Sequence, residues 1–289
     1  MEINIPKGTY IVAVSGGVDS MTLLYLIHEL KLDDSEFIVA HFNHGIRSDS
    51  KVDEDLAREV SNKYGYGFEL GKAKLGKDAS EDDARDKRLA FLMGLKGKYS
   101  ADKIITAHHN DDLIETALIN VLRGTNRRGL SSLVNSKDFI RPLIKYSKKD
   151  ILSFAIEHGI NWHEDSTNSE EKYLRNYLRH NVMKNMSEDQ KNKILRMIEL
   201  QKDLNDKIDD LLSSVLENNK LNRLFLSQIE FKLVKEVVLA WIRKNGIYNY
   251  DKSTVDRISV GVLTSPKGKN IDINKNRRIK ITEEYLEII

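Results

Sequence analysis

A chain of 289 residues, 40% hydrophobic and 31% charged, has the length and composition of a globular protein with one or two domains and a sizeable core. It contains no cysteine, which excludes structural disulfides, cysteine-held zinc or iron–sulfur centres and thiolate nucleophiles. The net charge of +2 is unevenly spread: residues 1–122 carry 15 Lys/Arg against 21 Asp/Glu, residues 123–184 carry 12 against 7, and residues 185–289 carry 19 against 16. The basic middle segment is either a solvated face or a surface for a polyanion.

The N-terminus, MEINIPKGTY, lacks the pattern of a secretory leader, and no apolar run approaches the ~18 residues needed to span a bilayer. A cytoplasmic protein without a membrane partner is therefore expected. Tyr10–Val14 (YIVAV) reads as a buried strand and Ser20–Leu30 as a helix packed on a sheet. Phe37–Phe42 (FIVAHF) is a second strand, Asp53–Tyr64 an amphipathic helix and Gly67–Leu75 a weaker strand. Ser80, as N-cap, opens a helix to Tyr99; Lys103–Ala107 is a strand and Asp111–Leu122 a helix. Such alternation predicts an α/β fold, a parallel sheet with helices on both faces. Ligands bind such sheets at the carboxyl ends of the strands. Three of those ends carry polar clusters: SGGVDS, HFNHGIR and AHHNDD.

Beyond the sheet, Ser187 and Gln190 have capping-box spacing, and Ile194, Met197, Leu204, Ile208, Leu211 and Val215 recur at helical spacing. This long helix, Ser187–Asn218, is a linker or a homodimer seam. Glu230–Lys244 is a further amphipathic helix, with Phe231, Val234, Val238 and Trp241 on one face and Gly246 as C-cap. The terminal stretch from Asn270 alternates across an Asn-Lys-Asn turn as a hairpin. The expected organisation is a catalytic domain over 1–185, a helical linker over 186–216 and a small α+β domain over 217–289.

In SGGVDS, Gly16 and Gly17 allow a tight turn with exposed N–H groups, and the following helix adds its positive end. An anion fits there, although an ordinary βα turn would read the same. The Walker A lysine is absent, and Asp19 stands where it would repel bare phosphate. An acid makes sense there beside a divalent cation that bridges phosphate oxygens. In AHHNDDLIET, Asp112 and Glu115 share a helical face next to His108 and His109. The HExxH zinc pattern is not met, so these acids read as partners for Mg²⁺ rather than as a zinc site.

SGGVDS after a buried strand resembles the pyrophosphate loop of the ATP pyrophosphatases, which split ATP to AMP and pyrophosphate. That loop taken with HFNHGIR, HHNDDLIET, LRGTNRRGL, RPLIKYSKKDI, NWHEDSTN and RNYLRH, in this order over roughly 10–183, resembles the tRNA(Ile)-lysidine synthetase family. The resemblance implies a Rossmann-like, adenine nucleotide alpha hydrolase-like domain. It also implies ATP and Mg²⁺ as cofactors, and free L-lysine and a CAU-anticodon tRNA(Ile) as substrates. The wobble cytidine would be adenylated at its C2 oxygen and then attacked by the lysine ε-amine.

By the same resemblance, Ser15, Gly16, Gly17, Val18, Asp19 and Ser20 hold pyrophosphate, with Asp19 on Mg²⁺, and His41, Asn43, His44 and Arg47 complete the ATP site. Asp19, His108, Asp112, Arg175 and Arg179 are the expected catalytic set. Asp111, Asp112 and Glu115 would orient lysine or the base. Arg123, Arg127, Arg128, Arg141, Arg175, Asn176 and Arg179 would contact tRNA. Two departures stand out: Asn126 replaces the glycine after RGT, and Lys184 stands near the family's proline beyond RNxxRH. Residues 217–289 resemble the first of the family's C-terminal domains, and the second is expected to be missing. Three rivals are a tRNA thiolase and an amidating synthetase, both disfavoured by the absence of cysteine, and a tRNA-binding homologue without catalysis, disfavoured by the intact SGGVDS and HHNDD clusters.

Overall fold

The computed structural model describes residues 1–45, 50–73, 81–125, 127–134, 138–163, 174–216, 219–247, 250, 252–274 and 276–289. The chain divides into two compact units, Met1–Lys202 and Asp203–Ile289.

The first unit runs β1 (Thr9–Ala13), α1 (Val18–Glu29), β2 (Glu36–Asn43), α2 (Ser50–Lys63), β3 (Gly67–Lys72), α3 (Glu81–Lys98), β4 (Lys103–Ile105), α4 (Asn110–Leu122), β5 (Phe139–Ile140), α5 (Lys148–Glu157) and α6 (Leu174–Tyr177). The strands pair in the order β3-β2-β1-β4-β5, and every pairing is parallel. Side chains alternate across the sheet, as strand geometry requires. Tyr10 and Val12 face a core with Leu23, Leu24 and Ile27 of α1, Ala57 of α2 and Ile151 of α5. Ile11 and Ile38 face the other way, onto Leu92 and Leu95 of α3. Helices thus cover both faces of the sheet. β1 is the central strand, which is why Ile11 and Val12 are fully buried and the run is continuously apolar.

The expected elements of this unit are present, with shifted ends. α2 starts at Ser50, before Asp53, and β3 stops at Lys72, before Leu75. Ser80 lies outside the described residues. β5 and α5 have no counterpart among the expected elements: two residues of strand leave no periodicity, and α5 is a ten-residue helix opened by a capping box of Ser147 and Asp150.

The long helix, α7, spans Glu188–Val215, and the division between the units falls inside it. Its expected cap forms: the Ser187 N–H donates to Gln190 Oε1 at 2.8 Å, and the Gln190 N–H donates to Ser187 Oγ at 3.2 Å. Ile198 is buried against Leu113 and Ala117 of α4, whereas Met197, Leu204 and Leu211 are exposed.

The second unit contains β6 (Lys220–Asn222), α8 (Arg223–Ser227), α9 (Phe231–Lys244), α10 (Lys252–Thr264), β7 (Asn270–Asn274), β8 (Arg277–Ile281) and β9 (Tyr285–Ile288). Its sheet is antiparallel in the order β6-β9-β8-β7, so the expected terminal hairpin is part of a four-stranded sheet. Val234, Val238 and Trp241 of α9 are buried in the core as expected, but Phe231 at the start of that helix is 41% exposed.

Candidate active site

In a parallel sheet, loops at the carboxyl ends of neighbouring strands meet where the strand order reverses. Here the chain leaves β1 for β2 and β3 on one side, then crosses back to β4 and β5 on the other. The SGGVDS loop after β1 therefore lies between HFNH, at the carboxyl end of β2, and AHHNDD, after β4. Sequence separation hides this neighbourhood; parallel pairing creates it.

The loop is held by its own atoms and by two distant residues. The buried Ser20 hydroxyl accepts the N–H groups of Ser15 (3.1 Å) and Gly16 (3.2 Å) and donates to Gly17 O (2.9 Å). Ser20 thus shapes the turn from beneath. Gly16 has φ +94°, and a Cβ built there would meet Asp53 at 2.9 Å, so only glycine fits. Gly17 has an ordinary φ of −75° and caps α1, and a Cβ there would touch only Ser15 Oγ, at 3.6 Å. The His163 N–H donates to Gly16 O at 3.1 Å, while its Nδ1 lies 2.9 Å from the buried Asp53 Oδ1. His41, also buried, places Nδ1 2.9 Å from Val14 O and so supports the loop from β2.

Asp19 sits in the first turn of α1, and both of its carboxylate oxygens accept from Lys148 Nζ at 2.7 Å. Lys148 is the first residue of α5, and its own N–H donates to Asp111 Oδ2 at 2.8 Å. Lys191 Nζ, from α7, holds the other oxygen of Asp111 at 3.0 Å. Neither lysine was among the expected site residues. The signal for Lys148 was its place in RPLIKYSKKDI; for Lys191 the sequence carries none.

The start of α4 gathers the acids. Asp112 Oδ2 accepts the His109 N–H at 3.0 Å, an ordinary helix cap, while Oδ1 faces Arg179 Nη2 at 3.2 Å. Glu115 is 2% exposed and takes Arg175 Nε on one oxygen and Arg179 Nε on the other. The two arginines are four residues apart, on α6 and on the π-helical turn Leu178–Val182 that follows it. His109 Nε2 stands 3.8 Å from Asp19 and 3.5 Å from Asp112, so its ring lies between the loop and this cluster, beyond ordinary hydrogen-bond length from either.

The environment sets the ionisation of the cluster. Burial, helped by Arg141, Arg88 and His109, outweighs the pull of Asp112 and lowers the His108 pKa to about 4, so that ring is neutral at pH 7. Its Nδ1 lies 2.8 Å from Thr106 Oγ1. Burial works to raise Asp112, but the His109 and His108 rings, the His109 N–H and Arg179 together hold it below the ordinary aspartate value. Burial raises Glu115 against Arg179 and Arg175, yet Arg179 is itself raised, its burial overcome by Glu115 and Asp112. The paired guanidinium contacts on both oxygens require a carboxylate, so we take Glu115 as ionised.

Arg141 acts on His108 from nearby, and the other expected residues are spread over β2, the end of α4 and α6. Arg123 ends α4, about 12 Å of helix rise beyond Glu115, and is exposed; Arg127 and Arg128 follow it, half-buried. Arg141 stacks over Phe139 at 5.3 Å, and burial together with Arg85 lowers its pKa to about 10. Asn43 Oδ1 accepts the Gly45 N–H at 2.8 Å, and the His44 ring packs on Phe42. Asn176 is half-buried on α6. Arg47, Asn126 and residues 164–168 of NWHEDSTN lie outside the described residues.

A parallel sheet with a glycine loop at its reversal point, backed by carboxylates and cations, defines a nucleotide-site α/β domain. Residues 3–186 match an ATP-binding family described as the PP-loop domain, and the chain belongs to that family. Curated relatives named tRNA(Ile)-lysidine synthase include that of Exiguobacterium sibiricum, 33% identical over 65% of this chain and 45% of the relative. That of Thermotoga maritima is 31% identical over 75% and 51%. That of Francisella tularensis subsp. holarctica is 28% identical over 96% and 72%. The chain spans about half the length of the first two relatives. Among solved structures, the U34-tRNA thiolase NcsA from Methanococcus maripaludis, with its 4Fe-4S cluster, superposes with a TM-score of 0.55 at 22% identity. That match covers 68% of this chain and 74% of the thiolase and bears on the fold alone. Among the described residues, no helix is long and apolar enough to cross a membrane.

Proposed function

We propose that the chain joins free L-lysine to C2 of the wobble cytidine of a CAU-anticodon tRNA(Ile) at the expense of ATP. The observation that carries this reading is the link from the SGGVDS loop, through Asp19 and His109, to the Asp112–Glu115 acids clamped by Arg179 and Arg175. The names of the curated relatives support it.

In the first step the cytidine C2 oxygen bonds to the α-phosphorus of ATP. The bridging Pα–O bond breaks, and pyrophosphate leaves with the electron pair. In the second, the lysine amine nitrogen bonds to C2, the C2–O bond breaks, and AMP leaves with its electrons while the amine gives up a proton to solvent. Neither step needs a protein nucleophile, so the chain's task is positioning and charge.

Gly16 and Gly17 let the loop backbone approach the departing phosphates. Asp112, held ionised, suits an ammonium or a developing positive charge on the base. His108, neutral at pH 7, offers a lone pair or an N–H rather than a cation. Arg175 and Arg179 are locked by Glu115 and turn their remaining donors toward nucleotide or RNA phosphates.

Among the described residues no group of three or more His, Asp or Glu side chains is arranged to hold a metal. Mg²⁺ in phosphate-transfer sites keeps waters and substrate oxygens and needs only one or two carboxylates. Asp19, with a side chain 29% exposed at the loop, fits that requirement. When bound, the ion would neutralise charge on the phosphate oxygens.

The test is ATP-dependent incorporation of labelled lysine into a CAU-anticodon tRNA(Ile) transcript. Incorporation with stoichiometric AMP release is expected. Folded protein that incorporates none refutes the reading.

A further inference from the structure

We propose that Lys148 is the cation of the pyrophosphate site: paired with Asp19 here, it moves to the phosphate oxygens when ATP binds. The inference rests on the ATP-splitting reading of the loop and adds a residue to it.

SGGVDS carries no basic residue, and two of its N–H groups, those of Ser15 and Gly16, are already given to Ser20 Oγ. The turn alone is therefore short of positive charge for a polyanionic leaving group. Lys148 supplies it from 129 residues away, with Nζ 2.7 Å from both oxygens of the loop's own acid. Its base is held rigidly. The Lys148 N–H is fixed to Asp111, Ser147 caps the helix with Asp150, and Lys191 anchors the far oxygen of Asp111.

The head of Lys148 is held loosely by comparison. Its side chain is 47% exposed and that of Asp19 29%, and ion pairs this wet are worth little. A flexible four-carbon stem on a fixed root can exchange one anion for another within a few ångströms. A phosphate group outcompetes a single carboxylate because it presents more charge and more acceptor oxygens. The exchange would also leave the Asp19 carboxylate open to a divalent cation. The lysine familiar from other phosphate loops is thus present, carried on a different strand–helix connection.

The test uses the full chain, inorganic pyrophosphate and ATP in calorimetric titrations, with K148M, K148Q and K148R beside the parent. K148M and K148Q are expected to bind pyrophosphate about 10- to 100-fold more weakly, the loss of one charge-assisted hydrogen bond. K148R should recover most of the affinity, and the parent's affinity should fall more steeply with salt than that of K148M. Thermal unfolding should be nearly unchanged in all three. Equal pyrophosphate affinity in parent and K148M overturns the role of Lys148. So does a loss of affinity that K148R does not recover and that accompanies unfolding, because Lys148 would then act through the fold. A parent that binds neither ATP nor pyrophosphate overturns the ATP-splitting reading beneath it. Failure of lysine incorporation alone, with these affinities as expected, leaves Lys148 in place.

Discussion

Replacing Glu115 by glutamine keeps the side chain's shape and removes a charge that two guanidiniums share. Glu115 is 2% exposed, and its oxygens take Arg175 on one side and Arg179 on the other. Removing one partner of a fully buried ion pair costs about 3–5 kcal/mol, because the remaining charge stays desolvated. Here the arginine side chains are 31% and 41% exposed, so water takes back part of that penalty. The expected loss is about 2–3 kcal/mol. For a unit of this size that lowers the melting midpoint by roughly 4–10 °C.

Circular dichroism melts of E115Q, R179M and the double variant measure it. The double variant should be less destabilised than the sum of the two, with a coupling of about 1 kcal/mol or more. An unchanged midpoint in E115Q would mean that burial has already protonated Glu115, and the ion-pair account would be wrong. ATP-binding measurements on the same proteins separate loss of fold from loss of site.

Gly16 and Gly17 should respond differently to alanine. G16A meets Asp53 at 2.9 Å from a positive φ and should destabilise the protein by about 1–3 kcal/mol, whereas G17A fits the fold and should lose ATP affinity with little change in melting. Paired melts and ATP titrations check this, and equal melting of the two variants would refute the strain at Gly16. His108 has its pKa lowered to about 4, below its unfolded value, so the unfolded chain binds the extra proton first as pH falls. Its contribution to stability is therefore present above pH ~6.5 and is lost toward pH ~4, amounting to about 3 kcal/mol. Urea unfolding of the parent and H108Q across that window should converge at low pH; parallel curves would place His108 in water.

Much of this protein can be read locally. The apolar runs of β1 and β2, the glycine turn and the cap of α7 follow from backbone sterics and side-chain period, which act within a few residues. The acids of HHNDDLIET are legible for the same reason, being on one turn of one helix. Phe231 misled because helical periodicity names a face but does not say where packing ends. The two-residue β5 is too short to leave a pattern.

What the sequence determined by itself was the kind of domain and the kind of loop, since strand, turn and helix propensities are short-range. The tertiary structure alone decided the company those groups keep. Parallel pairing set β1 between β2 and β4, and so put SGGVDS beside HHNDD. Folding then brought Lys148 onto Asp19 and Arg179 onto Glu115 across 129 and 64 residues. Charge pairing at such separations leaves no periodic trace in a sequence, because it depends on where the sheet returns the chain.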